Sequence, residues 1–400
     1  MEVDPGTMAS GKPSILFVDD EAQVLRALQN MMRRDRERWN MEFALGGDKA
    51  LAEIRQKSFD VIVSDMKMPG VDGIELLTTV KQESPATVRI MLSGETDRVQ
   101  IMRALPLLHQ FISKPCDVQT LRGVLGGSVD AISHADELAI RAAIGDLDRL
   151  PSPPRLYFEL TQLASSPNAS MGRVSALIAE DPAMTAKVLQ LANSAFFGLS
   201  EHTSSIATAV GYLGIELVKY LALTSAVFAA AERDPFAGFS TDHIQASSLR
   251  AATLARKIAD RGRADHAFVA GLLHDLGQVI LAVAIRERYA AVAEVVRITG
   301  EPLVTVERDF LGVTHAEVGA YLLGIWGLPR EIVLAVAHHH TPAQAPADVA
   351  DIATAVHVAD ALADTSCMGE STEIDRLDRE HLARTGLLDR LPSWRALVER

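Results

Sequence analysis

Acidic side chains follow two short apolar runs near the start of the chain. Asp19 and Asp20 come directly after the run ILFV, and Asp65 comes directly after the run VIVS. Clustered carboxylate oxygens are the ligands that Mg²⁺ prefers, and Mg²⁺ bridges readily to phosphate. Ser93 and Lys114 follow two further apolar runs and supply a hydroxyl and an ammonium group. These residue types together are typical of a phosphoryl-transfer site.

A second group of chemically capable residues lies in the C-terminal half. It consists of His274, Asp275, His315, His338, His339, His340 and Asp360. Imidazole and carboxylate ligands of this kind bind a transition metal that activates water for phosphoester hydrolysis. A buried, hydrogen-bonded His-Asp pair and a solvated histidine run at a helix end explain the same residues without a metal. Spacing alone leaves both interpretations open.

The elements that must position the first group form an alternating pattern. Short apolar runs alternate with helical periodicity as far as about residue 125, which predicts a doubly wound α/β domain with a five-stranded parallel sheet. The predicted strands are 14–18, 41–45, 61–64, 88–92 and 110–113. Ligands bind outside the carboxyl ends of such strands, so the acidic residues, Ser93 and Lys114 are expected to converge there.

The second group lies in a region that reads as entirely helical. Strand signals stop after Gly126 and Gly127, and beyond the prolines at 151–154 the apolar spacing is of the i, i+3, i+4 kind. An all-α orthogonal bundle is therefore predicted. The expected divisions are a flexible leader at 1–12, an α/β domain at 13–127, a helical linker at 128–149, a helical domain at 150–363 and an unassigned extension at 364–400.

Composition narrows the class of protein. The chain has 400 residues, 48% of them hydrophobic, and a formal net charge of -13, which opposes non-specific binding to nucleic acid. Only two cysteines are present, too few for a disulfide framework. No N-terminal apolar segment or sufficiently long uncharged apolar run was evident, so we expect a cytoplasmic location without membrane insertion.

The N-terminal domain closely resembles the response-regulator receiver family over residues 13–125. The motifs that carry the resemblance are ILFVDDE, SDMKMPGVDG, MLSGE and FISKPCD. By this resemblance Asp65 is the phospho-acceptor, and a sensor histidine kinase is the expected partner. Asp19 and Asp20 are expected to hold Mg²⁺ together with Asp65 and the backbone carbonyl of Lys67.

The same resemblance assigns roles to the remaining receiver residues. Ser93 binds the phosphoryl oxygens, Lys114 forms an ion pair with them, and Phe111 acts as the aromatic switch. Pro115 stands where the family places a cis peptide bond, which fits a fixed turn that aims Lys114.

Residues 150–363 resemble the HDOD family, an HD-related output domain. The segments that carry this resemblance are LPSPPRLYFEL, DPAMTAKVLQLANSAFFG, YLG, AFVAGLLHDLGQVIL, HAEVGAYLLGIWGLP and AVAHHHTP. Catalytic HD phosphohydrolases carry a histidine on the preceding helix, where this chain has Ser247, with His243 one turn earlier. Gln278 replaces the lysine of HD-GYP phosphodiesterases, and their Gly-Tyr-Pro signature does not follow His340.

Two functions follow from these observations. In the first, phosphorylation of Asp65 controls a non-catalytic HDOD module that acts by protein–protein interaction or self-association. In the second, the module is a phosphorylation-gated, metal-dependent phosphohydrolase acting on a nucleotide or cyclic di-nucleotide through His274, Asp275, His315, His339, His340 and Asp360. The residue at 247 weakens the second interpretation, because a hydroxyl is a poor replacement for an imidazole ligand.

Overall fold

The computed structural model describes residues 12–85, 87–93, 104, 107–114, 116, 118–133, 140, 154–164, 170–192, 203–232, 236–260, 262–363 and 376–398. The chain divides into two compact units, Met1–Ser133 and His134–Arg400. The leader expected at 1–12 lies almost wholly outside the described residues, as does most of the linker expected at 128–149.

The first unit contains a parallel sheet of five strands in the order β2-β1-β3-β4-β5. The strands are β1 (Ser14–Asp19), β2 (Asn40–Leu45), β3 (Val61–Asp65), β4 (Val88–Ser93) and β5 (Gln110–Ser113). Its helices are α1 (Ala22–Met31), α2 (Gly47–Ile54), α3 (Gly73–Glu83) and α4 (Val118–Ser133). The predicted fold class is confirmed, and each strand agrees with its predicted bounds to within one residue.

The central strands are apolar because helices cover both faces of the sheet. Every residue from Ile15 to Asp19 is buried in β1, and the whole of β3 is buried. The order 2-1-3-4-5 makes β1 and β3 neighbours, with Phe17 in register with Val63. The carboxyl ends of these two strands therefore bring the residues that follow them to one place.

Two residues shape the loop that follows β3. Asp72 caps α3 by accepting a hydrogen bond from the backbone N–H of Glu75 at 2.8 Å. The N–H of Gly73 donates to the carbonyl of Met66 at 3.0 Å. A Cβ atom on Gly73 would lie 2.1 Å from the carbonyl oxygen of Asp65. Glycine is therefore required where the start of α3 approaches the end of β3.

Replacing Gly73 by alanine is expected to destabilise the first unit by about 1–3 kcal/mol, because backbone atoms must shift to admit the methyl group. The matched control is Gly123→Ala, in the middle of α4, where an added Cβ meets nothing within 4 Å. That change should stabilise the helix by about 0.5–1 kcal/mol. Urea unfolding of the full chain, with hydrogen exchange of β1 and β3 amides as reporter, measures both. Equal stability of the two variants would contradict the steric explanation.

The second unit is helical throughout its described residues. Its helices are α5 (Arg155–Ala164), α6 (Met171–Ala179), α7 (Pro182–Ala192), α8 (Ile206–Leu213), α9 (Ile215–Ala231), α10 (Thr241–Ile258), α11 (Ala264–Leu273), α12 (Leu276–Ala284), α13 (Arg286–Thr299), α14 (Leu303–Leu311), α15 (His315–Ile325), α16 (Arg330–Ala337), α17 (Ala350–Ala363), α18 (Arg379–Arg384) and α19 (Leu391–Arg395). Helix α11 packs against α10, α16 and α17, and α12 packs against α15. The predicted all-helical class is confirmed.

Two glycines let helices in this unit approach closely. A Cβ on Gly271 of α11 would lie 2.8 Å from the Cα of Ala252 on α10. A Cβ on Gly277 of α12 would lie 1.9 Å from the carbonyl oxygen of His315, where α15 begins. The corner at 274–275 between α11 and α12 is thus held directly beside the first turn of α15.

Residues 376–398, within the extension left unassigned by sequence, pack on the helical unit. The N–H of Asp378 donates to Nε2 of His357 on α17 at 2.8 Å. Nε2 of His381 lies 2.8 Å from Oγ1 of Thr354 on the same helix. Leu382 and Trp394 are buried. The described part of the extension therefore packs against α17.

Within the described residues, one helical stretch has by itself the length and composition of a membrane-spanning helix. It is Ala264–Ala284, which comprises α11 and α12 and has a mean hydropathy of 1.7. However, 78% of this window is buried inside the domain, and the stretch contains His274 and Asp275. Core helices of folded domains share these properties, so the feature is weak evidence for a membrane span.

Candidate functional site

The first candidate site lies at the carboxyl ends of β1, β3 and β5. Asp19 ends β1, Asp65 ends β3, and Lys114 directly follows β5. The Lys114 Nζ atom donates to Oδ2 of Asp19 at 2.8 Å and to Oδ1 of Asp65 at 2.5 Å. The structure thus brings the predicted acceptor, a predicted Mg²⁺ ligand and the predicted lysine into direct contact.

Backbone N–H groups hold the second oxygen of each carboxylate. The N–H of Glu21 donates to Oδ1 of Asp19 at 2.9 Å, and the N–H of Lys67 donates to Oδ2 of Asp65 at 2.8 Å. Both carboxylates are therefore fixed by the loops that follow their strands. The side chain of Lys67 is exposed, so only its backbone takes part in this arrangement.

Lys114 remains protonated in this setting. Burial alone would lower its pKa, but the hydrogen bonds and charges of Asp19 and Asp65 outweigh burial and raise the pKa above its usual value. One positive charge then faces two carboxylates, which leaves an acidic site. Carboxylate oxygens and residual negative charge fit a hard divalent cation such as Mg²⁺.

The remaining predicted receiver residues are only partly described. Asp20 is exposed next to Asp19, and Phe111 on β5 is half-buried against the core of the domain. Ser93 is the last residue of β4, but its side chain lies outside the described residues. Pro115 lies outside them as well.

The second candidate site is a cluster of imidazoles and carboxylates in the helical unit. We call it the histidine centre: His274, Asp275, His315, His339, His340 and Asp360. The corner between α11 and α12 supplies the first two, α15 begins at His315, the histidine run follows α16, and α17 carries Asp360. All six residues proposed from sequence for an HD-like site come together.

The ligand-type atoms of the histidine centre face one another at short distances. Nε2 of His274 lies 3.2 Å from Oδ1 of Asp360 and 3.3 Å from Oδ2 of Asp275. The other oxygen of Asp275, Oδ1, lies 3.2 Å from Nε2 of His315. Nε2 of His340 is 3.0 Å from the same His315 atom. Asp275 therefore joins two histidines through its two oxygens.

Hydrogen bonds outside the cluster orient three of the rings. Nδ1 of His274 donates to the carbonyl of Gly271 at 2.8 Å, and Nδ1 of His339 donates to the carbonyl of Val336 at 2.7 Å. Nδ1 of His315 lies 2.7 Å from a carboxylate oxygen of Glu307. With Nδ1 fixed as the donor, Nε2 of each ring is left to face other members of the histidine centre, as in metal-ligating histidines.

The His339 ring is the most informative of the group. Its Nε2 atom is buried and has no hydrogen-bond partner among the described residues. A buried polar atom without a partner costs free energy unless something satisfies it. His339 belongs to both groups of ligand atoms that lie within 4.8 Å of one another, one with His315 and His340 and the other with His274 and Asp360.

Neighbouring carboxylates favour the charged form of two rings in the histidine centre. Burial disfavours charge on His274, but Asp275 and Asp360 overcome it and hold the pKa of that ring well above its ordinary value. Burial likewise opposes charge on His315, yet Glu307 and Asp275 raise its pKa to about 10. Two imidazolium rings then neutralise most of the buried carboxylate charge, and a bound metal would displace these protons.

The other two rings are neutral. Burial, reinforced by the neighbouring imidazoles, lowers the pKa of His339 and of His340 well below the ordinary value. Neutral imidazole is the form that ligates a metal, so these two rings bind without first losing a proton.

Helix α10 contributes no imidazole to the cluster within the described residues. The hydroxyl of Ser247 is buried and donates to the carbonyl of Ile244 on its own helix at 3.2 Å. His243 is exposed. The departure from the catalytic HD pattern seen in the sequence therefore stands in the structure.

Sequence reasoning missed three residues that support the histidine centre. Glu307 contacts His315, Tyr289 donates to Glu307, and His357 donates through Nδ1 to the carbonyl of His339 at 2.8 Å. Glu307 did leave a signal. It lies one helical turn from both Leu303 and Leu311, so the helical period places a carboxylate on the apolar stripe of α14.

Family models match both parts of the chain. The model of the response regulator receiver domain matches residues 15–125, and the model of the HDOD domain matches residues 150–342.

Curated relatives match only in part. An uncharacterized protein of Treponema pallidum is 27% identical over 227 residues, which cover 56% of this chain and 44% of that protein. The transcriptional regulatory protein ZraR of Salmonella typhimurium is 30% identical over 170 residues, covering 40% of this chain and 36% of that protein. The chain thus spans less than half the length of these relatives.

Two solved structures match parts of the chain. An HDOD domain protein of unknown function from Geobacter sulfurreducens is 25% identical, covers 66% of this chain and 97% of its own, and has a TM-score of 0.48. The signal receiver domain of an HD domain-containing protein from Pseudomonas fluorescens Pf-5 is 30% identical, covers 30% of this chain and 96% of its own, and has a TM-score of 0.29. With both family models matched, the chain contains an N-terminal response regulator receiver domain followed by a C-terminal HDOD domain.

Proposed function

We propose that the chain acts in the cytoplasm, where Asp65 accepts a phosphoryl group from a cognate sensor histidine kinase, and that this modification controls how the HDOD domain binds a partner or a second copy of the chain. The observation that carries the proposal is the contact of Lys114 Nζ with both Asp19 and Asp65. Asp19, Asp20, Asp65 and the carbonyl of Lys67 would hold Mg²⁺, which supplies neutralising charge during the transfer.

The residues of the site suit the transfer. A carboxylate oxygen of Asp65 attacks the phosphorus of the donor, the donor's bond to phosphorus breaks, and an acyl phosphate forms on the side chain. The N–H of Lys67 holds one oxygen of Asp65, which orients the other for attack. Lys114 supplies an ammonium group next to the new phosphoryl oxygens, where it replaces part of their lost solvation.

Phosphorylation then changes the charge at one point of the receiver. The acyl phosphate competes with Asp19 for Lys114, since the phosphoryl oxygens bring additional negative charge. In this proposal Ser93 and Phe111 respond to the local change and shift the receiver to a second arrangement. A shift between two arrangements requires no chemistry in the HDOD domain.

The Lys114→Ala variant is expected to be phosphorylated like the wild type but to show no change in assembly when it is phosphorylated. Asp65 and the proposed Mg²⁺ ligands remain, but no ammonium group is left to pair with the phosphoryl oxygens. Intact-protein mass spectrometry after treatment with acetyl phosphate measures modification, and light scattering measures assembly. Lys67→Ala is the matched control, because that side chain is exposed and its backbone N–H is retained. A phosphorylated Lys114→Ala protein with the wild-type change in light scattering would contradict this role.

A second candidate function is metal-dependent hydrolysis of a nucleotide or cyclic di-nucleotide. It is favoured by one observation, the three rings whose Nδ1 atoms are held from outside the cluster, which leaves Nε2 for the two groups of possible ligands that share His339. His274, Asp275, His315, His339, His340 and Asp360 would hold the metal. The metal would supply a bound water of lowered pKa for attack on phosphorus.

The two candidates differ in what the histidine centre does. Imidazole and carboxylate donors fit a transition metal, and the buried unpartnered Nε2 of His339 supports occupancy. Ser247 and Gln278 oppose hydrolysis, because the preceding helix supplies a hydroxyl bonded to its own backbone in place of an imidazole. A metal that stabilises the HDOD domain without turnover is compatible with the first function.

A further inference from the structure

We infer that Glu307 is a positioning residue of the histidine centre, which orients His315 from outside through two hydrogen bonds. This inference rests on the proposed metal binding by that centre. Oε2 of Glu307 accepts from the backbone N–H of His315 at 2.9 Å and lies 2.7 Å from its Nδ1 atom. Glu307 therefore fixes both the start of α15 and the ring that this helix presents.

Glu307 is buried, and hydrogen-bond donors surround its carboxylate. Glu307 is 0% exposed and His315 is 1% exposed. A buried carboxylate is costly unless donors surround it. Tyr289 supplies a further donor, since its hydroxyl donates to Oε1 at 2.8 Å. Both carboxylate oxygens are thus satisfied by residues of α13 and α15, and the side chain has one defined orientation.

Aromatic packing holds Tyr289 in turn. The rings of Phe236 and Phe239 meet the Tyr289 ring edge to face, with centroids 6.5 and 6.2 Å away. This packing fixes the phenol so that its hydroxyl reaches Glu307. The chain of contacts therefore runs from an aromatic cluster through a carboxylate to His315.

His315 differs chemically from the other two anchored rings. Nδ1 of His274 and of His339 donates to a neutral backbone carbonyl, whereas Nδ1 of His315 faces a carboxylate. A negative acceptor at Nδ1 increases the basicity of Nε2 and fixes the tautomer. Nε2 of His315 lies between Asp275 Oδ1 and His340 Nε2. Glu307 thus makes His315 a stronger donor than a ring whose Nδ1 donates to a neutral carbonyl.

The test uses the full-length chain and Co²⁺, whose visible absorption reports the geometry of its ligands. Affinity is measured by competition with a chelator. Glu307→Gln keeps the shape and an acceptor oxygen but removes the charge, and we expect it to weaken Co²⁺ binding by about 10–100-fold and to shift the absorption spectrum. Tyr289→Phe should weaken binding less. Glu294→Gln on α13 is the matched control, because Glu294 is exposed and pairs only with the neighbouring Arg297 in the described contacts.

The outcomes separate this inference from the proposal on which it rests. Wild-type Co²⁺ binding with a weakened, spectrally altered Glu307→Gln variant supports both. Wild-type binding with unchanged affinity and spectrum in Glu307→Gln overturns the positioning role alone. No Co²⁺ binding by the wild-type chain overturns the metal centre and the inference together. Thermal unfolding establishes that the variants are folded, and the nearly isosteric glutamine and Tyr289→Phe keep the test valid if Glu307→Ala does not fold.

Discussion

Asp65→Asn is expected to abolish phosphorylation of the chain by acetyl phosphate. The amide is a poor nucleophile toward phosphorus, and its loss of charge would also weaken the Mg²⁺ site proposed for Asp65 and Asp19. The amide nitrogen would in addition face the ammonium of Lys114 or the N–H of Lys67, both of which are donors. Intact-protein mass spectrometry with and without Mg²⁺ measures the effect, and we expect no modified species from the variant.

The control is Asp72→Asn, which makes the same chemical change in the loop that follows β3. Asp72 caps α3, and asparagine is an equally good N-cap residue, so the fold is retained. This variant should be phosphorylated like the wild type. Mg²⁺-dependent phosphorylation of Asp65→Asn on an aspartate would refute the assignment of the acceptor.

Much of the receiver site could be predicted because parallel sheets impose a simple rule. The carboxyl ends of parallel strands lie along one edge of the sheet, so the ends of β1, β3 and β5 bring Asp19, Asp65 and Lys114 to the same edge. The bridging of both carboxylates by one ammonium could not be predicted, since it depends on the path taken after β5. The requirement for Gly73 was equally hidden, because it arises from a backbone contact with Asp65.

The arrangement of the histidine centre could not be predicted from the sequence. Its six members could be named from residue type, but whether they converge depends on how α11, α15, α16 and α17 pack. The contacts that support the histidine centre are even harder to predict from sequence. Glu307 and Tyr289 are 18 residues apart and meet only because α13 and α14 form a packed pair.

Counting ligands in the sequence does not show how the ligands are held. The count registered the missing histidine at position 247 and made transition-metal binding doubtful. It could not register that backbone carbonyls hold Nδ1 of His274 and of His339. Preorganised rings lose less entropy on binding a metal, so the remaining ligands are better than their number indicates.

Replacing His339 is expected to produce the largest loss of metal binding. His339 belongs to both groups of potential ligands, and its buried Nε2 atom has no partner within the described structure. We expect wild-type chain loaded with Zn²⁺ or Mn²⁺ to retain metal after gel filtration and His339→Ala to lose it, as measured by elemental analysis. His338→Ala is the matched control, being adjacent in sequence but outside both groups. His339→Gln retains a donor for the Val336 carbonyl if alanine destabilises the fold.

The free energy of unfolding and the pH dependence of metal affinity provide two further measures of metal binding. Metal at about 100 times its Kd should stabilise the wild-type HDOD domain by about 2.7 kcal/mol and leave His339→Ala unchanged. Binding must displace protons from His274 and His315, whose folded-state pKa values are raised, the second to about 10. Metal affinity should therefore increase with pH up to that value, and binding should release protons. Affinity that is independent of pH would contradict ligation by these two rings.

A measurement of catalytic turnover distinguishes a hydrolytic metal from a structural one. Hydrolysis of a cyclic di-nucleotide by the metal-loaded wild type, lost in His339→Ala and retained in His338→Ala, would establish the phosphohydrolase function and refute the non-catalytic one. Because α10 presents the hydroxyl of Ser247 bonded to its own backbone, we expect metal binding without turnover. The histidine centre would then be a structural element that ties the corner between α11 and α12 to α15 and α17. The output of Asp65 phosphorylation would then depend on the surface of the HDOD domain and not on its chemistry.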